Sequence, residues 1–327
     1  MPRTEAPTRQ INYLRLSITD RCNLRCFYCT YWQDWQKLPA GEILRYEELL
    51  RLAAVAADCG ISKIRITGGE PLVRRGVVDF IHDLHQVPGV EEVCLTTNGV
   101  RLKEAAPGLF AAGLRHLNLS LDTLRRDRYR EITGRDEWPA VMAGLEAATS
   151  LRFRPLKINC VVLKGLNEDE LLDIALLARD HPYQVRFIEL MPTVSRHQWQ
   201  RHFLPLAAVR RRLAVLGRGE PVIPGPTAGP ARIFRFPGWQ GELGFISPVS
   251  DHHCPTCNRL RLTAEGKLRP CLMASSELDL REAVRSCLAD AFLSHLFREG
   301  INLKAAEARP PLLPSSLPGR PMVSIGG

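Results

Sequence analysis

Three cysteines near the N-terminus have the spacing of a metal-binding loop. Cys22, Cys26 and Cys29 form a C-x3-C-x2-C array, and three thiolates this close can hold one metal centre. A cubane iron–sulfur cluster has four irons, so three cysteines leave one iron open to a ligand. A structural zinc site is the alternative, but zinc prefers four protein ligands and no fourth Cys or His lies nearby. The array therefore predicts an iron–sulfur cluster with an open iron on which chemistry can occur.

A second trio of cysteines lies near the C-terminus. Cys254 and Cys257 form a C-x2-C pair, and Cys271 follows after thirteen residues. Taken alone, this motif is equally compatible with zinc, for which His252 or His253 is a candidate fourth ligand, and with an iron–sulfur cluster. Beside a first site interpreted as iron–sulfur, a second [4Fe–4S] cluster with its own open iron is the favoured hypothesis.

Composition indicates an ordinary globular protein. The chain has 327 residues, of which 45% are hydrophobic and 24% are charged, so it can bury a sizeable core. No leader-like apolar segment or membrane-length apolar stretch is found, and ten cysteines suit a reducing compartment, so we expect a cytoplasmic protein. The net charge of +9 favours an anionic partner, whether nucleic acid, nucleotide or acidic protein. Four cysteines outside both trios are interpreted as small hydrophobes, mostly buried in helices or strands: Cys59, Cys94, Cys160 and Cys287.

Strand-like and helix-like segments alternate along the first two thirds of the chain. The predicted strands are 11–18, 62–67, 91–97, 114–122, 156–163 and 184–191, and amphipathic helices are predicted at 46–60, 76–87 and 168–180. Six such units imply a parallel sheet but are too few for a closed eight-stranded barrel. We therefore predict an α/β fold, an open partial (β/α)6 TIM-like barrel with a C-terminal extension. The expected divisions are a barrel over 1–215, a Gly/Pro-rich linker over 216–230, and a second-cluster and substrate-binding region over 231–327.

Residues able to do chemistry collect at the predicted strand ends, where such folds place their active sites. The cysteine loop follows the first strand, and Gly-Gly-Glu-Pro, Thr-Thr-Asn-Gly, Ser120 with Asp122, and Met191 follow the later ones. Lys157 and Arg186 instead fall early in their strands.

Beyond the sixth strand, a basic helix is predicted over 201–213, with Arg210, Arg211 and Arg212 on an exposed face. A loop is predicted over 217–230, and two short strands over 231–236 and 241–247.

Several segments occur in the order of one known family. They are RLSITDRCNLRCFYC (15–29), IRITGGEPLVRR (64–75), TTNG (96–99), NLSLD (118–122), KIN (157–159), RFIELMP (186–192), CNRLRLT (257–263) and MVSIGG (322–327). Together they resemble the molybdenum-cofactor biosynthesis protein A family, the GTP 3′,8-cyclases of the radical S-adenosylmethionine (SAM) superfamily. The resemblance covers the chain from about residue 10 to its last residue, and CNRLRLT is its most specific motif.

The resemblance implies two [4Fe–4S] clusters with SAM as cofactor and GTP as substrate. The N-terminal cluster would cleave SAM to a 5′-deoxyadenosyl radical, and the C-terminal cluster would bind the GTP purine. The radical would take hydrogen from ribose C3′, and C3′ would attack guanine C8 to give (8S)-3′,8-cyclo-7,8-dihydroguanosine 5′-triphosphate. Cyclic pyranopterin monophosphate synthase would consume this product. We further expect an unspecified electron donor, a possible homodimer, and neither nucleic acid nor membrane as a partner.

The resemblance also implies roles for individual residues. Cys22, Cys26 and Cys29 would ligate the catalytic cluster, and Cys254, Cys257 and Cys271 the second one. Tyr28, Gly69, Ser120 and Met191 match positions that contact SAM. Arg15, Arg65, Thr96, Lys157, Arg259 and Arg261 match positions on the GTP side, with Lys63 and Arg186 as further phosphate partners. Gly326 and Gly327 would form a tail reaching the active site, with Arg15 as a candidate for orienting it.

Two local departures and two rival interpretations accompany this prediction. Residues 30–35 replace the family's usual Met-Pro after Cys29, and His252 and His253 stand where it commonly has an aromatic.

One rival interpretation is another radical SAM enzyme with an auxiliary cluster, such as a peptide-modifying enzyme, although those enzymes tend to carry more C-terminal cysteines. The other is a nucleic-acid-binding protein with two zinc sites, which would need fourth zinc ligands and base-stacking residues that the sequence does not offer.

Overall fold

Six parallel strands, consecutive in the chain, form the centre of one sheet. The computed structural model describes residues 10–29, 36–225, 227–251, 254–273, 276–286, 288–306 and 322–326. The central strands are largely buried, as expected of a parallel sheet covered by helices. They are β1 Tyr13–Ser17, β2 Lys63–Thr67, β3 Glu92–Thr97, β4 His116–Ser120, β5 Leu156–Val162 and β6 Tyr183–Glu189. Every bound lies within two residues of its prediction, so these six strands are confirmed.

Helices join the strands and bury one apolar face each. In the first of them, Leu49, Leu52 and Ala56 are buried at helical spacing and belong to the main hydrophobic core. The helices of the six units are α1 Tyr46–Asp58, α2 Val77–His85, α3 Leu102–Ala111, α4 Arg126–Thr133, α5 Trp138–Ser150 and α6 Leu171–Asp180. Short 3-10 turns lie at Ala40–Glu42 and Pro71–Val73.

The C-terminal region extends this sheet at both edges. Its strands are β7 Glu220–Pro221, β8 Arg232–Arg235, β9 Glu242–Ile246, β10 Arg259–Leu262, β11 Lys267–Arg269 and β12 Leu278–Asp279. β9 pairs in parallel with β6, and β10 pairs in parallel with β1. The resulting order, β12-β11-β10-β1-β2-β3-β4-β5-β6-β9-β8-β7, has two ends that do not meet among the described strands. The predicted open barrel with a C-terminal extension is therefore confirmed.

The predicted basic helix over 201–213 is wrong as a single element. α7 Arg196–His202 ends before an extended stretch, and α8 Leu206–Arg212 begins after Pro205. The residue before a proline disfavours the helical conformation, so Leu204 interrupts the helix. The exposed Arg face is confirmed, because residues 210–212 are all exposed on α8. A 3-10 turn at Leu213–Leu216 follows.

The predicted loop over 217–230 is wrong at one place. β7 lies within it and pairs antiparallel with β8. The remaining described elements are a 3-10 turn at Cys254–Thr256 and the helices α9 Arg281–Arg285, α10 Asp290–Ala306 and α11 Met322–Ile325. Among the helices of the described residues, none has the length and apolar character needed to span a membrane.

Candidate active site between two cysteine trios

Alternation along the strands decides which side chains face the inside of the open barrel. Residues two apart on a strand point to the same face. Arg15 on β1 lies in register with Arg65 on β2 and with Arg261 on β10, so three cations stand side by side. Lys157 and Arg186, early in their strands, also line the interior. Their distance from the strand ends therefore does not remove them from the site.

The interior holds a cavity of about 390 Å³. Its wall contains every predicted site residue outside the C-terminal tail. These are Arg15, Cys22, Cys26, Tyr28, Cys29, Arg65, Gly69, Thr96, Ser120, Lys157, Met191, Cys254, Cys257, Arg259, Arg261 and Cys271. The fold thus brings two cysteine trios from opposite ends of the chain to one cavity.

The first trio lies in the loop after β1 and is held by backbone and side-chain hydrogen bonds. The backbone N–H of Leu24 donates to the Cys22 sulfur at 3.4 Å, and the Asn98 amide approaches the same sulfur at 3.8 Å. The backbone N–H of Cys29 donates to the carbonyl of Cys26 at 2.9 Å, which closes a turn between these two ligands. Residues 30–35 lie outside the described residues, so the effect of that departure stays untested.

Gly69 lies against the cysteine loop at a distance that only glycine tolerates. A Cβ at this position would lie 2.3 Å from the backbone oxygen of Arg21. The neighbouring Glu70 ties the ends of β2 and β3 together, because its carboxylate accepts from the Thr97 hydroxyl at 2.8 Å and the Asn98 backbone N–H at 2.6 Å. The Gly-Gly-Glu turn therefore sets the depth of the cysteine loop relative to the sheet.

The first trio is buried and has acidic neighbours. Burial raises the pKa of Cys22 and Cys26, and the carboxylates of Glu70 and Asp122 respectively add to these two shifts. Burial, followed by the proximity of Cys22, raises the pKa of Cys29 to about 12. Thiols in such surroundings become thiolates when a bound metal centre supplies positive charge. The donor set therefore fits an iron-containing group.

Tyr28 is held at the cavity wall from two sides. Its hydroxyl donates to Asp122 Oδ2 at 2.5 Å, and its carbonyl accepts from the Thr193 hydroxyl at 3.0 Å. The other oxygen of Asp122 accepts from the Val161 backbone N–H at 2.8 Å. Burial raises the pKa of Asp122 to about 6. These contacts fix the orientation of the Tyr28 ring at the SAM-side position predicted from sequence.

Cations surround the second trio. Burial raises the pKa of Cys257, but the charges of Arg259 and Lys304 and a hydrogen bond from Arg259 outweigh burial and lower it to about 6. The Lys304 ammonium, from α10, donates to the carbonyl of Pro270 at 2.8 Å, immediately before Cys271. The positive charge of this region would therefore stabilise thiolates and an anionic ligand. The candidate zinc ligands His252 and His253 lie outside the described residues.

The cysteine trios are less compact than the ligand set of a single zinc ion. Zinc–sulfur bonds of about 2.3 Å place tetrahedral thiolates about 3.8 Å apart. Within the described residues, the one group of three potential ligands whose atoms all lie within 4.8 Å of one another is Glu92, Cys94 and His116. Among the described residues, neither cysteine trio has all three sulfur atoms within that distance of one another.

The cavity wall between the trios presents polar atoms that a ligand could satisfy. In the described part of the chain, Arg65 Nη1, Thr96 Oγ1 and Asn118 Oδ1 are buried without a hydrogen-bond partner, and buried polar groups normally have one. Burial and the like charges of Arg186 and Arg65 lower the pKa of Lys157 to about 7. Like charges are thus crowded together where an anion would relieve their repulsion.

The C-terminal tail contacts the first trio and Arg261. The backbone N–H of Val323, in α11, bonds to the sulfur of Cys29. Arg261 donates to the carbonyl of Gly326 at 2.7 Å. A Cβ on Gly326 would lie 2.7 Å from the Thr67 hydroxyl, so the tail is closely packed there. Gly327 lies outside the described residues, so the proposed contact of the terminal residue with Arg15 stays a prediction.

Comparison with known proteins gives two family matches, one over each half of the chain. Residues 16–178 match the radical SAM superfamily, and residues 183–309 match the family described as molybdenum cofactor synthesis C. The GTP 3′,8-cyclase of Moorella thermoacetica is 47% identical over 91% of this chain and 93% of that protein. That of Heliobacterium modesticaldum is 46% identical over 94% and 93%.

The chain belongs to the GTP 3′,8-cyclase family. This confirms the family predicted from the sequence motifs. Membership of the radical SAM superfamily implies a [4Fe–4S] cluster and SAM as cofactors. Molybdenum cofactor biosynthesis protein 1 of Mus musculus is also similar, with 39% identity over 99% of this chain and 51% of that protein.

Solved structures support the fold of this GTP 3′,8-cyclase family member. Streptococcus suis SuiB bound to S-adenosylmethionine superimposes with a TM-score of 0.61, at 12% identity, over 88% of this chain and 68% of SuiB. A structure of anSMEcpe with bound AdoMet gives a TM-score of 0.57, at 14% identity, over 90% and 80%. At these identities the likeness concerns the fold alone.

Several cavity residues of this family member escaped the sequence-based prediction. Asn118 and Asn159 lie inside quoted motifs, and strand alternation alone could have placed them beside Ser120 and Lys157 on the inner face. No sequence motif marks Lys304, because α10 reaches the second trio only through tertiary packing.

Four cysteines are interpreted from the sequence as small hydrophobes. Cys94 and Cys160 are buried and Cys59 is half-buried, whereas Cys287 lies outside the described residues. Cys94 also has polar contacts in the cavity floor.

Proposed function

We propose that this chain converts GTP to (8S)-3′,8-cyclo-7,8-dihydroguanosine 5′-triphosphate with SAM as the radical source. The observation that carries the proposal is the single cavity shared by two three-cysteine sets, with cations concentrated beside the second set. A radical generated at one end of such a cavity can reach a nucleotide held at the other end without meeting bulk solvent.

The SAM side of the cavity is built around Cys22, Cys26 and Cys29. A [4Fe–4S] cluster on these residues supplies, when bound, the electron that cleaves SAM to a 5′-deoxyadenosyl radical. Gly69 lines this side of the cavity, and its backbone would contact the methionine group. The remaining proposed contacts with SAM are Tyr28, Ser120 and Met191.

The GTP side is formed by the strand-borne cations. Arg15 and Arg65 project from the neighbouring strands β1 and β2, and Lys157 projects from β5. All three line the cavity and would bind the triphosphate, for which forked guanidinium groups offer paired donors. Thr96 adds a buried hydroxyl that has no partner among the described residues. Arg259 and Arg261 approach the substrate from β10, beside the second trio.

A second [4Fe–4S] cluster on Cys254, Cys257 and Cys271 is part of the proposal. Three ligands would leave one position of that centre for the purine, and Arg259 beside Cys257 would orient the base and balance negative charge. The cations around Cys257, which would balance the charge of thiolates and of an anionic ligand, support this assignment.

The tail completes the site in this proposal. Gly326 and Gly327 would pass between the trios, with Gly326 held by Arg261. Residues without side chains suit this position, since even one Cβ would collide with the ends of β1 and β2. The tail would exclude water from the radical and complete the GTP pocket.

The wider assignments remain predictions. Cyclic pyranopterin monophosphate synthase is the proposed consumer of the product, and a homodimer and a cytoplasmic location are expected from the sequence. The barrel over 1–215, the linker over 216–230 and the second-cluster region over 231–327 stay as proposed divisions of one continuous sheet.

Anaerobic turnover tests the proposal. Reconstituted enzyme, SAM and a strong reductant are incubated with GTP, and with ATP as the matched nucleotide control. We expect 5′-deoxyadenosine and an acid-labile cyclised product with GTP only. Cleavage of SAM without any modified GTP, at every reductant concentration tried, would contradict the assignment.

A further inference from the structure

A polar cluster lies at the N-terminal ends of β2, β3 and β4, and its member Lys63 lines the cavity. We name it the floor cluster: Lys63 on β2, Glu92 and Cys94 on β3, His116 on β4, and Thr227 from the segment before β8. Strand register explains its assembly, because Lys63 lies beside Glu92 and Cys94 lies beside His116. Its contacts connect a cavity cation to groups that take no part in the proposed reaction.

Two contacts fix the Lys63 ammonium. It pairs with Glu92 Oε1 at 2.8 Å and donates to the carbonyl of Thr227 at 3.0 Å. An ammonium has three N–H donors, and these two contacts use two of them. The Tyr13 ring lies 5.2 Å from the Lys63 nitrogen, and both residues line the cavity, where a phosphate oxygen would accept from the third donor. The side chain is only 6% exposed, so its position depends on these partners rather than on water.

Three residues besides Lys63 hydrogen-bond to the Glu92 carboxylate. His116 Nδ1 bonds to Oε1, the Cys94 thiol donates to Oε1 at 3.1 Å, and the Thr227 hydroxyl donates to Oε2 at 3.3 Å. Burial raises the pKa of Glu92, but hydrogen bonds from His116 and Lys63 outweigh it and hold the carboxyl below its ordinary value. The carboxylate is therefore a fixed anion at the base of the site.

We infer that Glu92 and His116 are positioning residues that hold Lys63 in place to bind the terminal phosphates of the nucleotide. This inference rests on the proposed function, which puts GTP in the cavity. Arg15 on β1, Arg65 on β2 and Arg261 on β10 lie in register and form a cation row. This row would repel a mobile ammonium away from the site. Glu92 opposes that repulsion, and His116 keeps the Glu92 carboxylate from turning towards the other cations.

The same cluster has a possible competing use. Glu92, Cys94 and His116 offer three ligand atoms close enough for one metal ion. The Lys63 ammonium at 2.8 Å from the shared carboxylate oxygen argues against it, because a dication there would displace or repel that charge. We therefore favour the positioning role, and the experiment below includes a metal measurement that can overturn it.

Equilibrium binding to the anaerobically reconstituted holoenzyme tests the inference, with GTP and guanosine as probes. Lys63→Met should weaken GTP binding about tenfold or more, since it removes a charge-assisted contact. Glu92→Gln should weaken it about fivefold, the effect of one ordinary hydrogen bond, and leave guanosine binding unchanged. Glu168→Gln is the matched control, because Glu168 pairs with Arg212 outside the cavity.

A double-mutant cycle separates positioning from general damage. If Glu92 acts through Lys63, Glu92→Gln should cause no further loss in the Lys63→Met background. His116→Asn, whose amide can replace Nδ1 as a donor, should retain GTP binding that His116→Leu loses. Additive losses, tighter GTP binding by Glu92→Gln, or equal weakening of guanosine would overturn the inference.

Two further measurements, of zinc content and of wild-type SAM and GTP binding, separate failure of this inference from failure of the proposed function. Stoichiometric zinc that survives chelation in the wild type and disappears in Cys94→Ala would show a metal site and overturn the positioning role. A wild-type protein that binds SAM but not GTP would contradict the proposed function itself, whereas normal wild-type binding with unaffected variants would contradict this inference alone. If Glu92→Gln does not fold, the His116 pair carries the same comparison.

Discussion

The two cysteine trios have the same number of ligands and opposite electrostatic surroundings. Around Cys22 and Cys26 the neighbouring charges are carboxylates, and the thiol pKa values are raised. Around Cys257 the neighbours are Arg259 and Lys304, and its pKa is lowered to about 6 despite burial. In the proposed function, three ligands would leave an open position at each centre, and the surrounding charge would determine which ligand that position favours.

This contrast matches the charges of the two proposed ligands. SAM carries a positive sulfonium, which suits the acidic side of the cavity near Glu70 and Asp122. GTP carries a polyanionic triphosphate, which suits the cation row and Arg259. One cavity can therefore hold both molecules in a fixed order, and exchanging their positions would place like charges together.

The largest expected effect comes from removing one ligand of each trio. Cys26→Ala should abolish SAM cleavage, because its centre loses one of three protein ligands. Cys257→Ala should keep some uncoupled SAM cleavage and lose cyclised GTP. Chromatography of 5′-deoxyadenosine and product measures both, with Cys59→Ala, a thiol outside the cavity, as control. Normal GTP cyclisation by Cys257→Ala would remove the second trio from the substrate site.

Shortening the tail should nearly abolish product while leaving both centres loaded. Deleting residues 326 and 327 removes the Gly326 carbonyl that Arg261 binds at 2.7 Å. Gly326→Ala should act in the same direction, because its Cβ would lie 2.7 Å from the Thr67 hydroxyl at a positive φ of 77°. Product yield, iron content and thermal midpoint are measured together, and full activity of the shortened protein would show that the tail is dispensable.

Loss of a cation beside the second trio should weaken GTP binding selectively. Arg259→Ala or Arg261→Ala should weaken GTP binding by about one to two decades, the cost of one charge-assisted contact. SAM binding should change little. Arg210→Ala, an exposed arginine on α8, is the control. Equal weakening of GTP binding and SAM binding would indicate a structural defect and would contradict the electrostatic difference between the two regions.

The smallest effect is a pH dependence centred on Lys157. Burial and neighbouring arginines lower the pKa of Lys157 to about 7 in the free protein, and a bound triphosphate would raise it. GTP affinity should therefore be complete below pH 7 and decline as pH rises above 7, by less than tenfold per pH unit. Lys157→Arg, which stays charged, should flatten the profile between pH 7 and 9. An unchanged slope in that variant would show that another group is responsible.

The sequence predicted the parts of the site that follow local patterns. Strand bounds came from runs of apolar residues, and the Gly69 turn and both cysteine motifs came from spacing. The basic composition of 201–213 predicts one helix, whereas Pro205 disfavours a helical conformation at Leu204 and divides the segment into α7 and α8. Positioning contacts were missed for a different reason, as Glu189 illustrates. Its carboxylate accepts from the backbone N–H groups of Leu206, Val249 and Ser250.

Those contacts depend on how distant segments pack. Glu189 pins the segment leading from β9 to Cys254, and Lys304 reaches the second trio from α10. The floor cluster likewise depends on which residues of β2, β3 and β4 lie side by side, and these pairings are seen only in the assembled sheet. The chemistry-bearing residues were therefore accessible from motifs, and the residues that orient them required the structure.

Metal analysis of three proteins tests the central claim that both trios hold iron–sulfur clusters. Wild type, a variant with Ala at Cys22, Cys26 and Cys29, and a variant with Ala at Cys254, Cys257 and Cys271 are purified and reconstituted without oxygen. Two four-iron clusters predict about eight irons in the wild type and about four in each variant. Stoichiometric zinc at either trio, or about four irons in a wild type that loses none in the second variant, would contradict the account.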